Sequence, residues 1–548
     1  MPESILDLLI FPGSQMMSER EATNMRRRDL LALIGTAAGG AVMYNAMSGL
    51  GFAAESTYSG PIMLEGDPKG ASVLILGAGL AGMVAALELR RAGYRVQVLE
   101  YNNRAGGRCW SLRGGDSYTE LGGATQRCEF DSGLYFNPGP WRIPYNHHAV
   151  LDYCRRLNVA LEPFIQVNHN AFVHSARAFA GKPQRYRHVQ TDFHGYVAEL
   201  LAKATSQHKL DEAVTKEDQE ILLTALRAWG ALDENYVYKA SLASSQRRGY
   251  DKDPGGGVAG PPIPSKPLDL HDLLKSGLWR GLLPGANYQF HMTLLQPVGG
   301  MDMIARAFAR EVGDLIRFNA KVKAIKQDGR GVTAVYEDAT DPGKPLRATA
   351  DWCLCTIPLP ILGQIEVDAG APMQNAIDAV PYEPAVKVGL QFKRRFWEQD
   401  DGIYGGISYT GLPIRQIGYP CTGYGGAGKA VLLGAYEIDS VYAYEFTALS
   451  PKERVAKAVE DGAQIHPQYK DEFENGIAVA WHRHPATLGC AGLWTDETRK
   501  QHYGNLCAID GRILLAGEHA SYWPGWQEGA ILSSLDAISR LHRRVLAH

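Results

Sequence analysis

The apolar and polar positions fall into their clearest pattern between residues 72 and 100. Residues 73–76 are an unbroken apolar run rich in β-branched side chains, as expected of a strand buried in a parallel sheet. Residues 83–89 carry apolar side chains at helical spacing, and residues 96–99 form a second apolar run ending at Glu100. Strand, helix and strand in this order predict a βαβ unit. From 147 to 226 the pattern turns helical, opened by Leu151, Cys154, Leu157 and Val159, with charged stretches such as 216–220 as solvated faces. Residues 250–268 hold too much Gly and Pro for regular structure and are expected to form a long excursion near a substrate entrance.

Beyond it, Gly299-Gly300-Met301-Asp302 opens a helix, 322–325 follows as a strand, and 353–358 is a buried strand stopped by Pro358. Between 386 and 479, alternating segments such as 386–392 and 431–436 predict a second, mostly antiparallel sheet. The chain closes with a strand leading to Glu518 and a helix over 529–546.

Composition narrows the class. At 548 residues the chain has room for two or three packed domains. A net charge of −3 gives no electrostatic footprint for nucleic acid. The eight cysteines are scattered with no C-x-x-C, so neither a zinc site nor a disulfide framework is indicated, and they are expected as reduced, mostly buried thiols. At the N-terminus, Arg26-Arg27-Arg28 precedes an apolar, small-residue run and then Ala53-Ala54-Glu55. These are the parts of an export signal, and Arg27-Arg28-x-Leu-Leu resembles the twin-arginine type. The expectation is an exported protein; the alternative is a cytoplasmic one with an uncleaved N-terminal arm. The run is too short and weak for a membrane span, and no integral membrane domain is expected.

The chemistry starts at the first turn. Gly77, Gly79 and Gly82 stand at G-x-G-x-x-G spacing between strand and helix. The first allows the tight turn, the second lets backbone approach a pyrophosphate, and the third lets helix pack on strand. The helix N-terminus offers free N–H groups to the phosphates, and Glu100 is placed for an adenosine ribose. Arg104, Gly106, Gly107 and Arg108 extend the motif, and this extension resembles the FAD-binding start of the flavin amine oxidases. The resemblance implies FAD as cofactor.

Five further stretches resemble L-amino-acid oxidases. Gly139-Pro140-Trp141-Arg142-Ile143-Pro144 is similar to the stretch in which an arginine clamps the substrate carboxylate, a task suited to a planar guanidinium. Ala385-Val386-Lys387-Val388-Gly389-Leu390, continuing to Phe396-Trp397 and Gly405-Gly406, resembles the strand whose lysine holds a water at the flavin. Gly434-Ala435-Tyr436 resembles the strand whose tyrosine also meets the carboxylate. Ala516-Gly517-Glu518-His519 and the segment from Trp523 to Ala530 resemble the closing region, where Gly525 receives the substrate amine and Trp526 walls the pocket. The resemblance thus implies Lys387 as the catalytic residue and Arg142, Tyr436, Gly525 and Trp526 as substrate contacts. It implies cofactor contacts at Gly77, Gly79, Ala81, Gly82, Glu100, Arg104, Gly107, Arg108, Gly139, Trp141, Arg142, Val322, Glu518, Trp526 and Gln527. No metal is implied. At Cys490-Ala491 the chain departs from monoamine oxidases, which carry a flavin-linked cysteine followed by a tyrosine. A buried thiol is expected there, with covalent attachment the alternative.

The expected fold is α/β, an FAD-binding Rossmann-like domain with a mixed-sheet substrate domain and a helical insertion. Its boundaries are an N-terminal signal or arm at 1–54, FAD-domain parts at 55–145, 296–362 and 491–548, a helical substrate-domain segment at 146–295, and a substrate sheet at 363–490. The activity implied is oxidative deamination of an L-amino acid with O2, giving a 2-oxo acid, ammonia and hydrogen peroxide. Aromatic and aliphatic substrates are expected, in a homodimer or higher homo-oligomer. An amine or polyamine oxidase and an amino-acid monooxygenase yielding amides remain as alternatives.

Overall fold

The computed structural model describes residues 58–207, 214–438 and 440–547; the expected signal at 1–54 lies outside them. Strand Ser72–Leu76 is the middle of a five-stranded sheet in which every pairing is parallel. It is flanked by Arg95–Leu99 and Trp352–Cys355, with Ile316–Arg317 and Ile513–Leu515 at the edges. Parallel neighbours need a crossover, and the helix Leu80–Arg91 supplies the first; its residues from Leu80 to Leu89 are all buried.

The period of two along Ser72–Leu76 sorts its side chains between two cores. Val73 and Ile75 pack with Met83, Val84, Ile304, Phe308, Ile531 and Leu535 from three helices, Leu80–Arg91, Asp302–Val312 and Gln527–Leu546. Leu74 and Leu76 face a smaller four-stranded sheet through Val322, Ile325 and Tyr336. The sheet is therefore covered on both sides, as its unbroken apolar runs require.

A seven-stranded sheet forms the second body of structure. Val386–Phe392, buried at every position, runs between Ala430–Glu437 and Phe473–Ala480, antiparallel to both. Val388, Leu390 and Phe392 face a core with Phe446 and Tyr469. Lys387 and Gly389 point the other way, and a Cβ at Gly389 would sit 2.6 Å from the Phe136 ring. Only the pairing of Phe172–His174 with Ile407–Thr410 in this sheet is parallel.

Two expectations need correction. The stretch 147–226 is not continuously helical: strands Leu161–Phe164, Phe172–His174 and Gln184–Arg185 interrupt helices His148–Arg156, Tyr186–Ser206 and Lys216–Gly230. Leu161–Phe164 pairs with Leu294–Pro297, more than a hundred residues on, and such tertiary pairing overrides a local helical period. The stretch 250–268 is not structureless either. Tyr250–Lys252 pairs antiparallel with Ile263–Pro264, a two-stranded ribbon whose open edges tolerate proline.

The insertion is pinned by one buried carboxylate. Asp192 accepts hydrogen bonds from Arg248 (2.8 and 3.2 Å), the Tyr238 hydroxyl (2.6 Å) and the Leu268 N–H (2.8 Å). Asp192 is fully buried and Arg248 nearly so. Removing one partner of such a pair strands the other charge in the interior, at a cost of about 3–5 kcal/mol. Arg248→Met is therefore expected to lower the denaturation midpoint in urea and to admit protease cleavage between residues 230 and 270; an unchanged midpoint and cleavage pattern would contradict this.

Candidate active site

The glycine turn forms a cradle. Gly77 has φ +103°, and a Cβ there would lie 2.6 Å from the Thr356 hydroxyl. At Gly82 a Cβ would lie 2.0 Å from the Gly77 carbonyl, so only glycine lets the helix come this close. Gly79 is different: nothing lies within 4 Å of its missing Cβ, and no side chain caps the helix it opens. Gly106 bridges to Gly79 and its N–H donates to the Ala78 carbonyl (2.8 Å), laying the Arg104–Arg108 turn beside the helix N-terminus. Gly107 approaches the Gly79 backbone closely as well.

Glu100 is oriented by the Ala78 N–H (2.7 Å) and by the Asn102 N–H (2.8 Å) and side-chain amide (2.6 Å). An uncapped helix end beside open space and a fixed carboxylate at the next strand end fit a dinucleotide. Ala81 ties the cradle to the closing helix, its carbonyl accepting from the Ser534 hydroxyl (2.7 Å). Arg104 donates to the Gly107 carbonyl (2.9 Å) and lies 4.3 Å from the Trp110 ring. It has no ion pair among the described residues, and burial lowers its pKa to about 10. Val322 turns into the core, on a strand whose Ala320 N–H donates to the Glu100 carbonyl (2.7 Å).

Arg108 links the cradle to the closing segment. It donates to Glu518 (2.8 Å) and to the Cys490 carbonyl (2.5 Å). The other Glu518 oxygen accepts from the N–H groups of Gly525 (3.0 Å) and Gly492 (3.3 Å). Burial alone would raise the Glu518 pKa, but the Arg108 charge and these bonds hold it below the usual range. Gln527 starts the last helix and donates to the Cys109 sulfur (3.2 Å). Its neighbour Glu528, fully buried, accepts from the Ala149 and Val150 N–H groups (3.0 and 2.9 Å) at the start of helix His148–Arg156.

Arg142 stands between these parts. The loop before it is clamped: a Cβ at Gly139 would lie 1.9 Å from the Arg108 carbonyl, and the Gly139 carbonyl accepts from Lys387 Nζ (2.6 Å). The Trp481 indole N–H donates to the Pro138 carbonyl (2.7 Å). The Arg142 guanidinium lies 4.2 Å from the Phe290 ring, 5.3 Å from Trp141 and 5.9 Å from Phe164. Its Nε is sealed from solvent with no hydrogen-bond partner. No carboxylate among the described residues pairs with it; burial lowers its pKa, and its polar neighbours are the Tyr436 and Tyr409 phenols.

Lys387 and Tyr436 face each other in register on adjacent strands, with Nζ 4.3 Å from the Tyr436 ring. Among the described residues the ammonium has no acidic partner. Burial, helped by the nearby Arg142 charge, brings its pKa down to about 7. Burial raises the Tyr436 hydroxyl well above its ordinary value and the Cys490 thiol to about 11. Glu383, half-buried and beside Tyr436 and Cys490, is raised to about 7 by burial.

Gly525, at φ +77°, turns the chain into Trp526. The Trp526 ring is 6.2 Å from Phe290 and meets His147 edge-on at 4.9 Å. His147 is bonded to Gln289 (2.9 Å), and burial drops its pKa to about 3, so it is neutral. The structure thus gathers Trp141, Arg142, Lys387 and Tyr436, and brings Trp526 to them through Phe290. Phe290, Phe164, Tyr409, His147, Gln289 and Glu383 were not singled out from sequence. Phe290 and Gln289 sit in a short turn with no periodicity to mark them.

Comparison with known proteins fits this arrangement. Residues 80–541 match the family described as flavin containing amine oxidoreductase. The L-amino-acid oxidase of Siganus canaliculatus is 28% identical over 482 residues, covering 86% of this chain and 86% of that protein. The L-amino-acid oxidase of Vipera ammodytes ammodytes is 28% identical over 492 residues, covering 87% and 93%. Among solved structures, cyclohexylamine oxidase from Brevibacterium oxydans IH-35A aligns with a TM-score of 0.56 at 16% identity, over 87% of this chain and 100% of that one. A wild-type putrescine oxidase bound to putrescine aligns with a TM-score of 0.54 at 17% identity, over 87% and 99%; at these identities the likeness speaks for fold alone. With the dinucleotide cradle in place the cofactor is FAD, and the chain belongs to the flavin-containing amine oxidoreductases.

Proposed function

We propose that the protein oxidatively deaminates L-amino acids, and the observation that carries this is the unpaired Arg142 guanidinium. A cation largely withdrawn from water, with no counter-ion among the described residues, is costly, and a substrate carboxylate is the charge that relieves it. An amine substrate brings no such group. The names of the curated relatives support the same reading.

FAD, when bound, takes the hydride and passes its electrons to O2 as hydrogen peroxide. The chain's own residues do the positioning. The edge of the Arg142 fork takes the carboxylate in two parallel bonds, and the Tyr436 hydroxyl adds a second contact. The Gly525 carbonyl receives the amine, and Trp526 lies along the substrate. Held at these points, the substrate offers its Cα–H in one orientation, with the nitrogen lone pair driving hydride departure. Arg104, against Trp110 and with no ion pair among the described residues, is a cation for the cofactor's phosphates. Lys387 holds a water, and hydrolysis of the imino acid then gives the 2-oxo acid and ammonia.

Arg142→Ala is expected to raise KM for L-amino acids about 100-fold or more while the purified protein stays yellow. An unchanged KM would overturn the assignment. Lys387 gives a pH signature. Because burial penalises its charged form, the ammonium survives only below about pH 7 and the neutral amine, able to take a proton from water, prevails above. Turnover is expected to rise through a single ionisation near pH 7, and Lys387→Met to lack that limb; a variant with the wild-type profile would contradict this role.

A further inference from the structure

The ring nearest the Arg142 guanidinium belongs to Phe290, at 4.2 Å, while Trp141 lies at 5.3 Å. A guanidinium held against rings keeps its N–H edge for a ligand, the geometry that favours a two-bonded carboxylate. Phe290 is well placed to impose this because its turn is fixed at two points. The Asn287 side chain accepts from the Gln289 N–H (3.0 Å), and the Gln289 side chain is bonded to His147 (2.9 Å). The same ring lies 6.2 Å from Trp526, tilted at 51°. Phe290 therefore spans the distance between the carboxylate clamp and the wall of the pocket.

Arg142 is the cation; His147 is neutral; Gln289, Tyr409 and Tyr436 are uncharged at neutral pH. Two more titratable groups lie beside Tyr436: Lys387, 4.3 Å from its ring, and Glu383, raised to about 7 by burial. Phe290 itself contacts Arg142 and Trp526, so a cationic substrate side chain packed on it meets no counter-charge from these two, and an anionic one would compete for Arg142.

We propose that Phe290 is a specificity-determining residue, fixing the plane of Arg142 and forming with Trp526 the wall on which a neutral aromatic or large apolar substrate side chain packs. This rests on the reading that the site takes L-amino acids. Phe290 acts through Arg142 on the carboxylate and directly on the side chain, so its loss reaches large substrates more than small ones.

The test compares L-phenylalanine with L-alanine in steady-state turnover by the flavin-loaded enzyme, for wild type, Phe290→Ala and Phe290→Tyr. In Phe290→Ala the kcat/KM ratio of the two substrates is expected to fall about 10-fold or more, through KM for L-phenylalanine, with kcat within about threefold. Phe290→Tyr, which keeps the ring, is expected to retain the wild-type ratio. If Phe290→Ala loses its flavin, Phe290→Leu takes its place, with a ratio between the two. A ratio unchanged in the alanine or leucine variant, or lost equally in the tyrosine variant, would overturn the role of Phe290 alone. A wild-type flavin that neither amino acid reduces would remove both this proposal and the activity it rests on.

Discussion

The uncompensated charge of Arg142 organises the proposed substrate side of this protein. Withdrawing a guanidinium from water without a partner is costly, and the fold holds the part-buried Arg142 in that state among rings. The rings and phenols around it do not neutralise it. Lys387 hydrogen-bonds a backbone carbonyl, Tyr436 keeps its proton, and Glu518 on the closing segment is taken by Arg108. The chain has 59 acidic residues, so the lack of one beside Arg142 is a specific arrangement. It leaves the cation for something that enters from outside.

The cofactor side follows the same logic with weaker charges. The helix Leu80–Arg91 begins without a capping side chain, so its first N–H groups are unsatisfied by side chains, as an anion-binding end needs. Glycines at positions 77, 79 and 82 let three pieces of backbone converge there. The Arg108–Glu518 bond then joins this cradle to the Gly525 backbone. Cradle, bridge and the Arg142 pocket come from chain segments far apart in sequence, carried by a parallel sheet and a mostly antiparallel one.

Much of this was legible in the residues. The cradle depends on local signals, glycine spacing and apolar runs, which survive any tertiary context. The closing strand, Glu518 and the last helix were legible for the same reason. What was not legible depends on pairing at a distance. The strand Leu161–Phe164 exists because Leu294–Pro297 lies beside it, and nothing in its own four residues outweighs the helical period around it. The ribbon at 250–264 was hidden by its prolines. Lys387 and Tyr436 were each picked out, yet that they meet in register is a property of the sheet. Phe290 lies in a turn with no period, and only its contact with Arg142 gives it meaning.

The central claim is that Arg142 waits for a carboxylate, and it is tested most directly by anaerobic mixing of the yellow protein with matched pairs of substrates, such as L-phenylalanine and 2-phenylethylamine, while flavin absorbance is followed. The account predicts rapid bleaching by the amino acid, recovery of colour with peroxide and 2-oxo acid on admitting air, and little or no bleaching by the amine. Faster bleaching by the amine would contradict it and leave Arg142 a structural cation.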